Sequence, residues 1–189
     1  VKVLRDLARH RSTAHFIATK LARHFVADQP PRSVVAKLEY AFLESEGDLA
    51  HVSRALIALE EAWQDPLAKI KTPYEFVLST FRALDFDKPS RGGFMRSFVV
   101  VNHLPFSAPS PAGWPDVASH WISPEAIMRR VEWTRAFVAQ VPRRVTPSWI
   151  VENSIAPVAA EETLSAVAAA PSSEEGLALA LMSPEFQRR

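Results

Sequence analysis

The sequence predicts an all-α fold, an irregular bundle of about eight to ten helices with one long ordered loop rich in Pro and Trp. Three observations predict it. Apolar residues recur at three- and four-residue steps, the period of one helix face. Only 5 Gly stand against 15 Pro, and the prolines cluster between the periodic segments instead of inside them. Strand candidates are scarce: the one β-branched run, Phe98–Val101, is short and follows a helical pattern, so a strand there competes with a continuing helix.

The elements follow from start and stop signals. Leu4, Leu7 and Ala8 share one face of a first helix, and Ser12 or Thr13 is placed to cap a second with Phe16, Ile17, Leu21 and Phe25 inward. After Pro30–Pro31 a third helix runs to about Glu46, burying Val34, Val35, Leu38, Ala41 and Phe42, with Gly47 placed to close it. Asp48 caps a fourth whose stripe is Leu49, Val52, Leu56 and Leu59. Thr72-Pro73-Tyr74-Glu75 is the clearest start signal, because Thr accepts from the backbone of Glu75, Glu reaches back, and Pro takes the first helical position. That helix buries Phe76, Val77, Thr80, Phe81 and Leu84. Ser123-Pro124-Glu125 opens another with Ile127, Met128, Val131 and Val138 inward, ending near Pro142. Residues 143–189 read as an Ala-rich helical tail with helices over about 158–170 and 173–182. The whole of 1–189 is expected to form one helical domain or subdomain.

Composition narrows the function classes. Lys plus Arg number 22 and Asp plus Glu 21, so the net charge of +1 gives no general attraction to nucleic acid. Residues 1–32 are basic and residues 150–189 acidic, which solvated helix faces explain as well as mutual attraction does. With no Cys there is no thiolate metal site and no cysteine nucleophile in this chain. No stretch approaches the roughly 18 apolar residues of a membrane span. The chain begins with Val1 already inside an amphipathic pattern, so a preceding part is expected. That part is the first expected partner. Its absence is expected to leave an apolar patch around Leu4, Leu7 and Ile17 that drives a homodimer or docks another protein.

Between His103 and Ser123 the helical pattern fails, broken by Pro105, Pro109, Pro111, Gly113 and Pro115. Ordering such a loop costs about 1–2 kcal/mol of backbone entropy per residue. Trp114 and Trp121 are the largest side chains available to offset it. At least one is expected to be buried against the helix at Pro73 or Pro124, with Arg130 or Arg82 donating to loop carbonyls.

Four segments carry a family resemblance. Ile17–Phe25, Lys71–Phe76 with Arg82, Pro111–Asp116 with Trp121 and Arg130, and Ser183–Phe186 are similar, in this order and over essentially the whole chain, to the bacterial family catalogued as domain of unknown function 1800. The Gly-Trp-Pro loop followed by the Arg-bearing helix is the most specific part. The resemblance implies the C-terminal portion of a protein more than twice as long, exported to the periplasm or beyond the cell. It implies no activity, and no catalytic residue is carried over from it.

The candidate ligand-binding residues are therefore read from the chain itself. Trp114 and Trp121 with Phe106 are expected either to form an aromatic platform for a ligand, with His103, Asp116, His120 and Arg130 as further candidates around it, or to fill the core beneath the loop. Asp116 and His120 share a face if the chain turns helical after Pro115, but their spacing matches no established zinc pattern, and neither a metal nor a cofactor is expected. Asp116 is equally a cap for a short turn. A Ser-His-Asp set can be assembled from Ser107 or Ser110, His103 or His120, and Asp116, without the strained Gly-x-Ser-x-Gly turn that would support it. Lys71, Glu75 and Arg82, with Arg130 and Glu132, are charged residues on helices whose other faces are apolar, read either as a partly buried ion network clamping the loop or as solvated side chains. Two readings result. One is a helical interaction or scaffold module whose loop is a clasp. The other is an enzyme or carbohydrate-binding unit with a cleft at the Trp loop, completed by the preceding part.

Overall fold

Polar caps ahead of helix-forming segments set most of the helix starts seen in the computed structural model, which describes residues 1–65, 67–86 and 90–189. Helices make up 61% of the protein, and among the described residues the only β feature is an isolated antiparallel bridge between Ile70 and Arg188. The fold is all-α. The run at Phe98 continues a helix to Val100 and forms no strand. The described residues fall into two compact units, Val1–Lys69 and Ile70–Arg189. Among them no helix is long and apolar enough to cross a membrane.

The first unit holds α1 (Lys2–Ala8), α2 (Arg11–Phe25), α3 (Arg32–Glu44) and α4 (Leu49–Ala58). α3 buries the five residues expected, and Asp48 caps α4 through the backbone N–H groups of Ala50 and His51. α2 differs from expectation. It starts at Arg11, with His10 Nδ1 accepting from Ser12 N–H, while Thr13 Oγ1 donates to Leu7 O at the end of α1. Its buried stripe is Ala14, Ala18 and Ala22, and Phe16 and Phe25 are exposed. The small residues at i, i+4 and i+8 let α3 approach closely, and Phe16, two positions from both Ala14 and Ala18, points away from that stripe, whereas Phe25 is the last residue of the helix. Leu49 is also exposed, so only Val52 and Leu56 of the α4 stripe are buried. Nor is Gly47 the residue that first turns α3 out of the helix. Glu46 takes the left-handed backbone at φ 53°, its N–H reaches Leu43 O, and the N–H of Gly47 bonds Phe42 O at 2.8 Å. That is the Schellman pattern with Glu where Gly is favoured.

The second unit holds α5 (Pro73–Ala83), α6 (Arg91–Val100), α7 (Pro124–Val138), α8 (Pro147–Ile150), α9 (Glu161–Ala168) and α10 (Ser173–Met182). α8 runs into one π-helical segment, Val151–Ile155. α5 buries all five residues expected of it. α7 buries only Val138 of the four residues expected: Met128 is exposed, Ile127 and Val131 are half-buried, and the inner face is Arg130, Trp133, Thr134, Phe137 and Val138. A stripe containing Arg and Thr is invisible to an apolar pattern. Aromatic rings fill the core, with Trp133 stacked on Phe137 at 5.0 Å and Phe76 edge-on to Trp133 at 5.6 Å.

α10 crosses α8 closely at Gly176, where a Cβ would lie 2.6 Å from Pro147 Cγ and 3.4 Å from Ala170 Cβ. Gly to Ala inside a helix ordinarily gains up to about 1 kcal/mol of propensity. Here overpacking costs about 1–3 kcal/mol and reverses the sign. We expect Gly176→Ala to lower the melting temperature and Pro147→Ala in the same chain to restore part of the loss, read by thermal unfolding.

Candidate functional site

α6 ends in a second Schellman motif. Asn102 takes φ 55°, its N–H bonds Val99 O, and the N–H of His103 bonds Phe98 O at 2.8 Å. This fixes His103 three residues beyond the end of the helix, where its Nδ1 accepts the N–H of Tyr74 at 3.2 Å. The start of α5 is then fully provided for. Pro73 has no N–H, Tyr74 donates to His103, Glu75 donates to Thr72 Oγ1, and the Thr72 N–H reaches Glu75 Oε2 at 2.8 Å.

The loop residues close over that histidine. Trp121 stacks on the His103 ring with centroids 4.9 Å apart and planes 13° apart, and Trp114 meets it edge-on at 4.5 Å. Trp121 is only 7% exposed, whereas Trp114 is half-buried. The indole N–H groups are buried without an acceptor among the described residues, so packing and not hydrogen bonding holds these rings. A 3₁₀ turn over Ala118–His120 delivers Trp121 to its place. It begins two residues after Asp116, so the helical turn that would set Asp116 and His120 on one face is not formed. Asp116 is half-buried and His120 exposed. Phe106 stands apart from the platform, fully exposed. Among the described residues no three His, Asp or Glu side chains are grouped as metal ligands would be.

Beside this cluster α7 sends Arg130 inward, 1% exposed. Its Nη2 donates to Lys71 O at 2.7 Å and its Nη1 to Gln187 Oε1 at 2.6 Å, with the guanidinium 5.4 Å from the Phe76 ring centroid. Arg130 thus clamps the C-terminal strap, where a bond to loop carbonyls was expected. Lys71 Nζ donates to Phe186 O at 2.6 Å and lies 4.1 Å over the Phe186 ring, and Lys71 N–H bonds Gln187 O. Glu75 pairs with Arg189 at 2.9 Å. Arg82 is exposed in the last turn of α5, and Glu132 is exposed on α7. The network is therefore Lys71, Glu75, Arg130 and Arg189.

Burial dominates the electrostatics of this region. It lowers the Lys71 ammonium to about 8 and the Arg130 guanidinium to about 10, and the Glu75 carboxylate opposes both shifts. It also pushes the His103 imidazole below its ordinary value, against Glu75 and together with Arg130. The hydrogen bond agrees with that direction, since Nδ1 accepts an N–H only without a proton of its own.

Residues 1–188 match the family model described as protein of unknown function, DUF1800. The chain belongs to that family. Comparison with curated proteins and with solved structures gives no match. In this DUF1800 chain three of the four segments that carry the resemblance lie in the second unit, where Lys71–Phe76, Trp114, Trp121, Arg130 and Phe186 belong to the two adjoining clusters, while Ile17–Phe25 is part of the first unit.

Sequence reasoning missed Tyr74 as the donor to His103 and Gln187 as the acceptor for Arg130. It also missed Glu185, whose carboxylate accepts from Ala160 N–H and Thr163 Oγ1 at the start of α9. None of these lies within helical reach of its partner, so no local pattern marks them. The start of α8 does carry a local signal, since Thr146-Pro147 repeats the Thr72-Pro73 pair and Thr146 Oγ1 accepts from Trp149 N–H.

Two outcomes follow from this geometry. His103 has a folded pKa below its unfolded value of 6.5. The unfolded chain binds more protons between the two values, so stability falls as pH drops from 6.5. His103→Asn keeps an acceptor and removes the titration, and its melting temperature should fall less steeply on acidification than that of the parent. Arg130→Leu leaves Lys71 O and Gln187 Oε1 without their donor, at about 1–3 kcal/mol for each buried acceptor. It should lower the melting temperature and expose the amides of residues 186–188 to faster hydrogen exchange.

Proposed function

We propose that this chain is a helical scaffold and interaction module, in which the Pro/Trp loop serves as a clasp and not as the wall of a catalytic cleft. One observation carries the reading: the imidazole and charged side chains of the two clusters are bonded to other groups of the same chain, several of them main-chain. His103 Nδ1 is occupied by Tyr74 N–H, and Lys71 Nζ and Arg130 Nη2 end on the carbonyls of Phe186 and Lys71. A general base needs a nitrogen lone pair within reach of a substrate proton. His103 has one such lone pair in the neutral ring, and it faces the start of α5.

The same reading takes Trp114 and Trp121 as structural contributors, with Asp116 half-buried in the loop and His120 at its surface. The exposed apolar side chains of α1, Leu4 and Leu7, are then candidates for a docking edge toward another part of a longer protein.

Trp121→Ala removes a buried ring that packs on His103 and should cost about 3–5 kcal/mol, read as a fall in melting temperature of about 6–20 °C. Trp114→Ala, at a half-buried site, should cost less. The test pairs these melts with calorimetric titration of cello-oligosaccharides and chito-oligosaccharides. The scaffold reading predicts large thermal losses and no saccharide binding by the parent. Saccharide binding that is lost in both variants at unchanged melting temperature would replace it with a carbohydrate-binding site at the loop.

A further inference from the structure

The loop begins with a turn that is poorly suited to its own sequence. Ser107 N–H bonds Leu104 O, Pro105 takes the second position, and Phe106 takes the third at φ 59°. A turn with Pro second and a left-handed residue third is the setting that favours Gly or Asn. Here it carries a bulky aromatic side chain that is 108% exposed, so it gains nothing from packing within the chain. The backbone strain and the lost burial both work against Phe at this position. What remains as a reason for it is a contact outside the chain.

The same unit carries a cleft of about 500 Å³ between the end of α5, α6 and α7. Its inner surface is aromatic, formed by Phe81, Phe86, Trp133 and Phe137, and Arg96 and Glu132 stand at its rim with opposite charges. A pocket of this size accommodates one aromatic side chain with room to spare. Val100 lines the cleft, and Phe106 follows it by only six residues, a reach of at most about 20 Å. Beside the cleft α6 exposes Met95 and Val99 as well as Val100, so finger, apolar helix face and cleft are consecutive along one stretch of chain. Residues 104–115 carry no charge, and nothing in the loop repels the two opposite charges at the rim.

We propose that the cleft receives Phe106 from a second copy of this chain. Because finger and cleft lie close together in the sequence, two copies related by a two-fold axis can exchange Phe106 reciprocally, which closes the assembly as a dimer. Each Phe buries roughly 150–250 Å². With the α6 residues added, the contact stays at the small end of specific interfaces, below about 1,200 Å², and the dimer is a weak one whose population depends on concentration. This assignment rests on the interaction-module reading, but that reading is tested by melting and saccharide binding at Trp114 and Trp121, so either can fail without the other.

The test is sedimentation equilibrium of the whole chain over a wide concentration range, for the parent, Phe106→Gly and Ala136→Trp. Gly relieves the turn strain and removes the finger; Trp at the exposed, cleft-lining position 136 fills the cleft and leaves the finger intact. Each substitution should weaken dimerisation by about ten-fold or more, with the melting temperature of Phe106→Gly equal to or above that of the parent. An equimolar mixture of the two variants should dimerise more tightly than either alone, because the finger of one and the cleft of the other restore one contact of the two. A parent that stays monomeric throughout the range overturns the proposal, as does a dimer indifferent to Phe106→Gly. Binding of the parent to phosphatidylcholine–phosphatidylglycerol vesicles that Phe106→Gly abolishes, with self-association unchanged, also overturns it and makes the finger a membrane-inserting one.

Discussion

A guanidinium buried to within 1% of complete exclusion from water must be held by the protein itself, and in this chain Arg130 is held by a carbonyl and an amide from opposite ends of the second unit. The cost of removing its charge from water is offset only if both acceptors stay in place. Lys71 lies just ahead of α5 and Gln187 near the chain end, so one side chain of α7 ties together segments far apart in sequence. The strap at Ser183–Arg189 depends on it. Gln187 in turn donates its own amide N–H to Leu181 O, and Phe186 N–H bonds Ser183 Oγ, so the strap is an ordered turn and not a loose tail.

The aromatic cluster rests on the same support. Lys71 and Thr72 lead directly into α5, and the first turn of α5 supplies the N–H that fixes the His103 ring. That ring is the surface on which Trp121 stacks and against which Trp114 sets its edge. The long loop can therefore be ordered without regular hydrogen bonding, because its two largest side chains lie on a platform positioned by a helix end at each side. Neutral His103 suits this role. A protonated ring would lose the Tyr74 bond, face the positive end of the α5 dipole and lie near Arg130.

Much of the helical skeleton was legible from the residues alone, and the physical reason is locality. The capping box at Thr72–Glu75, the Ser123 and Asp48 caps and the buried stripes of α3 and α5 are all decided within one or two turns of chain. Where the reading failed, the deciding interaction was distant. α2 turns its alanines inward because α3 approaches there, and the large apolar Phe16 and Phe25 are left outside. α7 turns Arg130 and Thr134 inward because Gln187, Lys71 and Met182 wait there as partners.

The candidate site divides along the same line. The sequence by itself determined an all-α chain of the DUF1800 family with its Trp-bearing loop between α6 and α7, because helix periodicity, proline spacing and family motifs are properties of neighbouring residues. Only the tertiary structure decided that His103 is an acceptor for a helix start, that Arg130 braces the C-terminal strap, that Arg82 stands outside the ion cluster, and that Phe106 projects from the unit while Trp121 is enclosed. The roles of His103 and Arg130 depend on hydrogen-bond partners dozens of residues away, and the energy of a buried polar group is set by that partner and not by its neighbours in the chain.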